Sequence, residues 1–120
     1  MTRDIEQRTF EFAVRIVKMS HFIPKTTDGR VLANQVLKAG TSIGANVEEA
    51  EGAYSKTDFT HKMSIALKEA KETHYWLRLI KATDMLKPAR MDDIIREAEE
   101  LKKILGAIVS KARGKSKSTR

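Results

Sequence analysis

The chain has no cysteine among its 120 residues. That excludes a disulfide framework and any thiolate metal site. It has two prolines, one tryptophan, two tyrosines and four phenylalanines. So little proline leaves long stretches in which nothing interrupts a helix. No apolar run approaches the roughly 18 residues that a membrane span needs. The opening residues, MTRDIEQRTF, are polar and lack the apolar core of a signal peptide. A cytoplasmic location with no membrane partner is the simplest expectation. No Walker phosphate loop and no dinucleotide fingerprint is present.

Catalytic groupings are equally scarce. Di-iron bundles use Glu-x-x-His on two helices. The residues three before His21, His61 and His74 are Lys18, Asp58 and Lys71. One acid–histidine pair, Asp58 with His61, is too little for two metals, and Asp58 serves better as a helix cap. Adjacent carboxylates occur at Glu48/Glu49 and Glu99/Glu100. Neighbours on a helix point about 100° apart, so neither pair is placed to share a substrate. Gly40-Thr41-Ser42-Ile43-Gly44 matches G-x-S-x-G, but a nucleophile elbow needs a strand before the serine. The apolar period here is helical on both sides. A non-enzymatic protein with no cofactor and no metal is expected.

What the chain does have is helical pattern. Alanine, leucine, isoleucine, lysine and glutamate dominate, which suits an all-α chain, and the length suits one domain with a real core. The organising stretch is Ala39–Gly52, AGTSIGANVEEAEG. Leu32, Val36, Ala39, Ile43, Val47 and Ala50 recur at steps of three or four, a stripe buried along one side of a helix. Gly40 and Gly44 lie inside that helix, and each costs about 0.5–1 kcal/mol relative to alanine. Either a second helix comes close there or the glycines are weak spots that the helix tolerates. Ser42, Asn46 and Glu49 complete this motif. None of Glu48, Glu49 and Glu51 has a cation three or four residues away, so partners must come from other helices. The bundle layout brings Arg3, Arg8, His61 and Lys62 within reach of Glu48 and Glu49. Gly52 is placed to end the helix in the left-handed conformation.

Three further helices flank it. The first spans about residues 4–21, with Ile5, Thr9, Phe12, Ile16 and Met19 on one stripe and Phe10, Ala13 and Val17 on a second. Ser55-x-x-Asp58 opens the third as a capping pattern. Phe59, Met63, Ala66, Ala70, Thr73, Leu77 and Ile80 form its seam, and Ile65, Trp76 and Leu79 occupy another face. The fourth follows Pro88, with a seam at Met91, Ile94, Ala98, Leu101, Leu105, Ile108 and Ala112. Four helices with short links predict an antiparallel up-down-up-down bundle over residues 1–110. The first and third carry more apolar surface than one bundle core uses. Phe10, Val17, Ile65, Trp76 and Leu79 are therefore expected to be buried between copies of the chain.

The net charge is +7 and concentrates at the end. Residues 111–120, KARGKSKSTR, carry Lys111, Arg113, Lys115, Lys117 and Arg120 and no acid. Without them the balance falls to +2. Such a segment is expected to be a disordered tail that grips phosphates or keeps the protein soluble. Lys68, Lys71 and Arg78 join it as candidate phosphate contacts, with Tyr75 and Trp76 nearby as stacking candidates.

Ser42-Ile43-Gly44-Ala45-Asn46-Val47-Glu48-Glu49-Ala50, Ser55-x-x-Asp58-Phe59-x-x-Lys62, and Ile65-Ala66-Leu67-Lys68-Glu69-x-x-Glu72-Thr73-x-Tyr75-Trp76-Leu77 together resemble one family. It is the four-helix-bundle proteins encoded in intervening sequences of large-subunit ribosomal RNA genes. The resemblance covers about residues 8–110. Many relatives carry Asn-Ile-x-Glu-Gly, where this chain has Ala50 after Glu49 and a glycine only at Gly52. The chain is also similar to the accessory variability protein of diversity-generating retroelements, a basic bundle that works with a reverse transcriptase. The resemblance implies a four-helix protomer, a ring-shaped homopentamer, and RNA or DNA binding, with a nucleic-acid enzyme as a further partner. The residues themselves support self-association but do not derive the number five. The leading expectation is a non-enzymatic homo-oligomer that binds RNA or DNA. The alternative is an oligomeric protein–protein scaffold without nucleic-acid binding.

Overall fold

The computed structural model describes residues 2–114, with side chains from Asp4 onward. It contains four helices: α1 (Thr2–Ser20), α2 (Thr27–Glu51), α3 (Lys56–Ala82) and α4 (Pro88–Ala112). Among the described residues there is no strand. The helix ends follow local chemistry. Thr26 caps α2: its hydroxyl accepts from the Gly29 amide at 3.1 Å and donates to Asp28 at 2.7 Å. That donation, with nearby backbone amides, holds the exposed Asp28 carboxyl below its usual pKa. Ser55 caps α3 by accepting from the Asp58 amide at 3.0 Å, as the sequence pattern predicts.

Two helix ends differ from expectation. Gly52 closes α2 with φ −98°, not in the left-handed region. The Gly52 amide reaches back to Glu49 at 3.1 Å and the Ala53 amide to Ala50 at 3.1 Å. These short backbone bonds end the helix without a positive φ. The left-handed position instead falls to Asp84, at φ 59° after α3. Its amide donates to the Lys81 carbonyl at 3.0 Å and the Met85 amide to Ile80 at 3.2 Å. That is the Schellman arrangement with aspartate where glycine is usual. At the far end, α4 continues through Ala112, so Lys111 and Ala112 belong to the helix and not to a tail.

The core joins stripes from all four helices. Ile5, Phe12 and Ile16 of α1 meet Val36, Ile43 and Val47 of α2, Met63, Leu77 and Ile80 of α3, and Met91, Leu101 and Leu105 of α4. Phe59 and Ile108 are only partly buried, while Val109 is buried. The two buried threonines are satisfied within their own helices. Thr9 donates to the Ile5 carbonyl at 2.8 Å and Thr73 to Glu69 at 2.7 Å. Among the described residues, no buried side-chain polar atom lacks a partner.

The glycines of α2 mark where α1 comes close. A β-carbon on Gly40 would lie 2.9 Å from Ile16 Cγ1, and one on Gly44 would lie 3.2 Å from the Thr9 carbonyl oxygen. The second obstacle is backbone, which cannot rotate away. The glycine patch is thus a seat for a neighbouring helix, and the neighbour is α1 of the same chain.

Ion pairs tie the helices at the surface. Lys62 reaches Glu49 at 2.7 Å, one of the inter-helix contacts predicted for the Glu48–Glu49 pair. The Glu49 carboxylate raises the pKa of the Lys62 ammonium. Arg8 goes elsewhere: its Nε and Nη2 donate to the two oxygens of Glu97 at 3.1 and 2.8 Å. This two-pronged bond clamps α1 to α4 and raises the Arg8 pKa. Lys81 meets Asp92 at 2.7 Å, and His74 Nε2 lies 3.3 Å from Glu99 across α3 and α4.

His74 gives a pH prediction. Burial lowers its pKa, helped by Lys102 and opposed by Glu99. The folded protein therefore holds the neutral ring more firmly than the unfolded chain, whose histidine titrates near 6.5. As pH falls below about 6.5 the unfolded state takes up the proton first, and stability declines through that window. Urea midpoints are expected to fall between pH 7.5 and 5.5 in the parent, and His74→Gln is expected to flatten that decline.

Candidate interaction surfaces

Two surfaces collect the candidate residues. The first is the outer face of α1. Phe10, Val14 and Val17 follow one another at steps of four and three, so they share one side of the helix. Phe10 is 61% exposed, and Val14 and Val17 are each 37% exposed. With Ala13, Lys18 and His21 they line a shallow recess of about 450 Å³. From Phe10 and Ala13 the recess continues onto α2 along Thr41, Gly44, Ala45 and Glu48. The small residues of α2 thus serve two neighbours: their inner edge seats α1, and their outer edge floors a groove.

The α3 residues expected at an interface sit differently. Ile65, Trp76 and Leu79 are half-buried within the protomer. Trp76 packs against the core and donates its indole N–H to Glu72 at 3.1 Å. Of the residues expected at an interface, only Phe10 and Val17, both on α1, are exposed. Val14 was not singled out from sequence, although its spacing to Phe10 and Val17 carried the signal.

The second surface is a basic row along α3. Lys68, Lys71, Tyr75 and Arg78 are all exposed. At 100° per residue they fall within an arc of about 80°. Arg113 at the end of α4 joins them by donating to Ser64 Oγ at 2.9 Å, and Ser64 lies one turn before Lys68 on the same side. From Ser64 to Arg78 the row runs about 21 Å at 1.5 Å per residue. Among the described residues, none of Lys68, Lys71, Arg78, Lys111 and Arg113 forms an ion pair. Tyr75 is 50% exposed and carries the Arg78 guanidinium 5.9 Å from its ring centre. Tyr75, not Trp76, is thus the aromatic open to a stacking partner. Lys111 is exposed but lies with Asp4, Arg8 and Ile104 on the α1–α4 side, away from the row. Lys115, Lys117 and Arg120 lie outside the described residues.

The remaining motif residues are structural. Ser42 lies within α2, and Asn46 Nδ2 donates to its carbonyl at 2.9 Å and to its hydroxyl at 3.2 Å. The G-x-S-x-G segment is continuous helix, so no strained turn presents the serine. Among the described residues, no group of three or more histidines, cysteines or carboxylates could hold a metal. No helix among them is long and apolar enough to cross a membrane.

The family model described as 23S rRNA-intervening sequence protein matches residues 2–107. The chain belongs to that family. The match takes in the whole of α1, α2 and α3 and most of α4. A search among curated proteins finds no match. Among solved structures, the intervening-sequence fold seen here is similar to a Bacteroides thetaiotaomicron VPI-5482 protein of the S23 ribosomal protein family, described as of unknown function. The two are 42% identical with a TM-score of 0.81, over 88% of this chain and 97% of the other.

Proposed function

We propose that this intervening-sequence family member is a non-enzymatic homo-oligomer that holds RNA or DNA along the basic row of α3. The protomer is an antiparallel up-down-up-down bundle. Two pairs of contacts support that layout: Gly40 packs on Ile16 while Gly44 packs on Thr9, Lys81 meets Asp92 while His74 meets Glu99, and each pair runs in opposite chain directions. Copies join through the α1 strip of Phe10, Val14 and Val17. The family resemblance favours a closed ring of five.

The nucleic-acid reading rests on one observation. Lys68, Lys71, Arg78 and Arg113 line one side of the bundle, and among the described residues no carboxylate is paired to any of them. Like charges so placed repel one another unless a polyanion covers them. The geometry suits contacts to the phosphate backbone, which carry affinity but little sequence information. A salt titration of RNA binding tests this. For a single strand, the log–log slope is expected to be about −0.7 per neutralised phosphate. Lys68→Gln, Lys71→Gln and Arg78→Gln together are expected to make it shallower by about 2. An unchanged slope would remove the row from the interface. Failure of the parent to bind at low salt would leave a protein–protein scaffold.

A further inference from the structure

A second cationic cluster lies on the α1–α4 side, away from the α3 row. Arg15, Lys18 and Arg90 surround Phe22 in a recess floored by Met19 and Ile94. Among the described residues, no carboxylate lines it. The acids nearest in sequence are engaged elsewhere: Glu11 accepts from Gln7 at 3.0 Å, Asp92 from Lys81 at 2.7 Å, Asp93 from Arg96 at 2.8 Å, and Glu97 from Arg8. Phe22 is 58% exposed, and the Arg90 guanidinium stands 4.4 Å from its ring centre.

The ring is held outward by its neighbours. Met19 and Ile23 on either side of it are core residues at 6% and 3% exposure. The turn between them is tight, with the amides of His21, Phe22 and Ile23 donating to Lys18, Met19 and Ser20 at 3.0–3.2 Å. On the other helix, Met91 is fully buried beside Arg90. Both backbones are thus anchored, and the aromatic is presented, not loose. One face of the ring is occupied by the Arg90 guanidinium, a planar group with N–H donors that suit a phosphate. The rest of the ring is open to a flat partner.

We propose that this recess is a second contact for nucleic acid and selects single strands. An unpaired base stacks on Phe22 opposite Arg90, and Arg15, Lys18 and Arg90 hold the flanking phosphates. An acidic peptide would satisfy the cations but leave the ring without a partner. A duplex would offer phosphates but no free base face. Exposed aromatics beside backbone-gripping cations are the usual means of binding single strands without reading sequence. The proposal shares its ligand class with the α3 reading and places the selection on different residues.

Fluorescence anisotropy with a labelled 15-nucleotide RNA, free or annealed to its complement, tests it on the full assembled chain. Phe22→Ala is expected to weaken single-strand binding about tenfold and to leave duplex binding within about twofold. Phe22→Tyr is expected to retain single-strand binding. Arg15→Gln with Lys18→Gln is expected to make the salt slope shallower by about 1.4. A thermal melt confirms that each variant is folded. Unchanged single-strand affinity in Phe22→Ala would overturn the proposal, as would equal loss on both RNA forms. Displacement of the strand by polyglutamate at matched charge would assign the recess to an acidic protein and overturn it too. If the Lys68, Lys71 and Arg78 variant alone loses binding, the α3 row stands and the recess falls. If the parent binds neither RNA, both fall.

Discussion

Phe12→Ala is expected to lower the free energy of unfolding by about 3–5 kcal/mol. Phe12 is 1% exposed and is among the largest side chains wholly enclosed by the bundle. Removing it leaves a ring-sized hole among the α1 stripe and the stripes of its neighbours, and helices clamped by Arg8–Glu97 and by the glycine seat cannot collapse fully to fill it. Small domains have only about 5–15 kcal/mol of stability in total, so this single change takes a large share. Phe10 stands two residues away on the same helix and is 61% exposed. Phe10→Ala is expected to change the protomer's own folding by less than about 0.5 kcal/mol. Urea unfolding of both variants at a protomer concentration low enough for the chains to be separate checks the contrast, because association adds to apparent stability. Similar losses at the two positions in the separate protomer would mean that its own fold covers Phe10 as fully as Phe12.

Phe10→Glu combined with Val17→Glu is expected to abolish assembly while leaving the protomer folded. The two positions are two turns apart on the open side of α1, and both lie in the groove that continues onto α2. In the free protomer their carboxylates would be solvated at little cost. Buried against another copy, each would be a charge without a partner, a penalty of about 3–5 kcal/mol. Two of them correspond to a loss of at least about a thousandfold in association. Light scattering with circular dichroism separates the outcomes. A variant that is helical and one chain in mass agrees with the account. A variant that stays assembled places the contact on some other face.

Much of the fold is legible in residue spacing, because a helix converts sequence steps of three and four directly into shared faces. The α1 stripe of Ile5, Thr9, Phe12, Ile16 and Met19 is buried as expected, as is the α3 seam from Met63 to Ile80. The caps at Thr26 and Ser55 rest on bonds three residues long, so they too can be read locally. The α4 seam drifts. A seven-residue repeat on a straight helix slips about 20° per heptad. Val109 lies five full turns after Met91 and is buried in register with it, while Ile108 turns partly outward.

The surfaces were less legible, for a physical reason. Lys68, Lys71 and Arg78 share one helix, so their row can be found by counting. Arg113 joins it only because α4 ends beside Ser64, 49 residues earlier in the chain. Phe22 and Arg90 are separated by two intervening helices, and nothing in either segment announces the other. Trp76 looked like an interface residue by its off-seam position, yet Glu72 one turn earlier gives its indole a partner inside the protomer. Contacts made by closing the bundle are set by packing, and packing is not periodic.

Assembly depends most on the α1 strip being covered by another copy of the chain. The direct test is the mass of the parent protein in solution, measured by analytical ultracentrifugation across a dilution series from high micromolar to nanomolar. A single species several times the 13.6 kDa chain mass is expected at the upper concentrations, with five chains the number that the family resemblance favours. A protein that sediments as one chain throughout, with Phe10, Val14 and Val17 open to water, would contradict it.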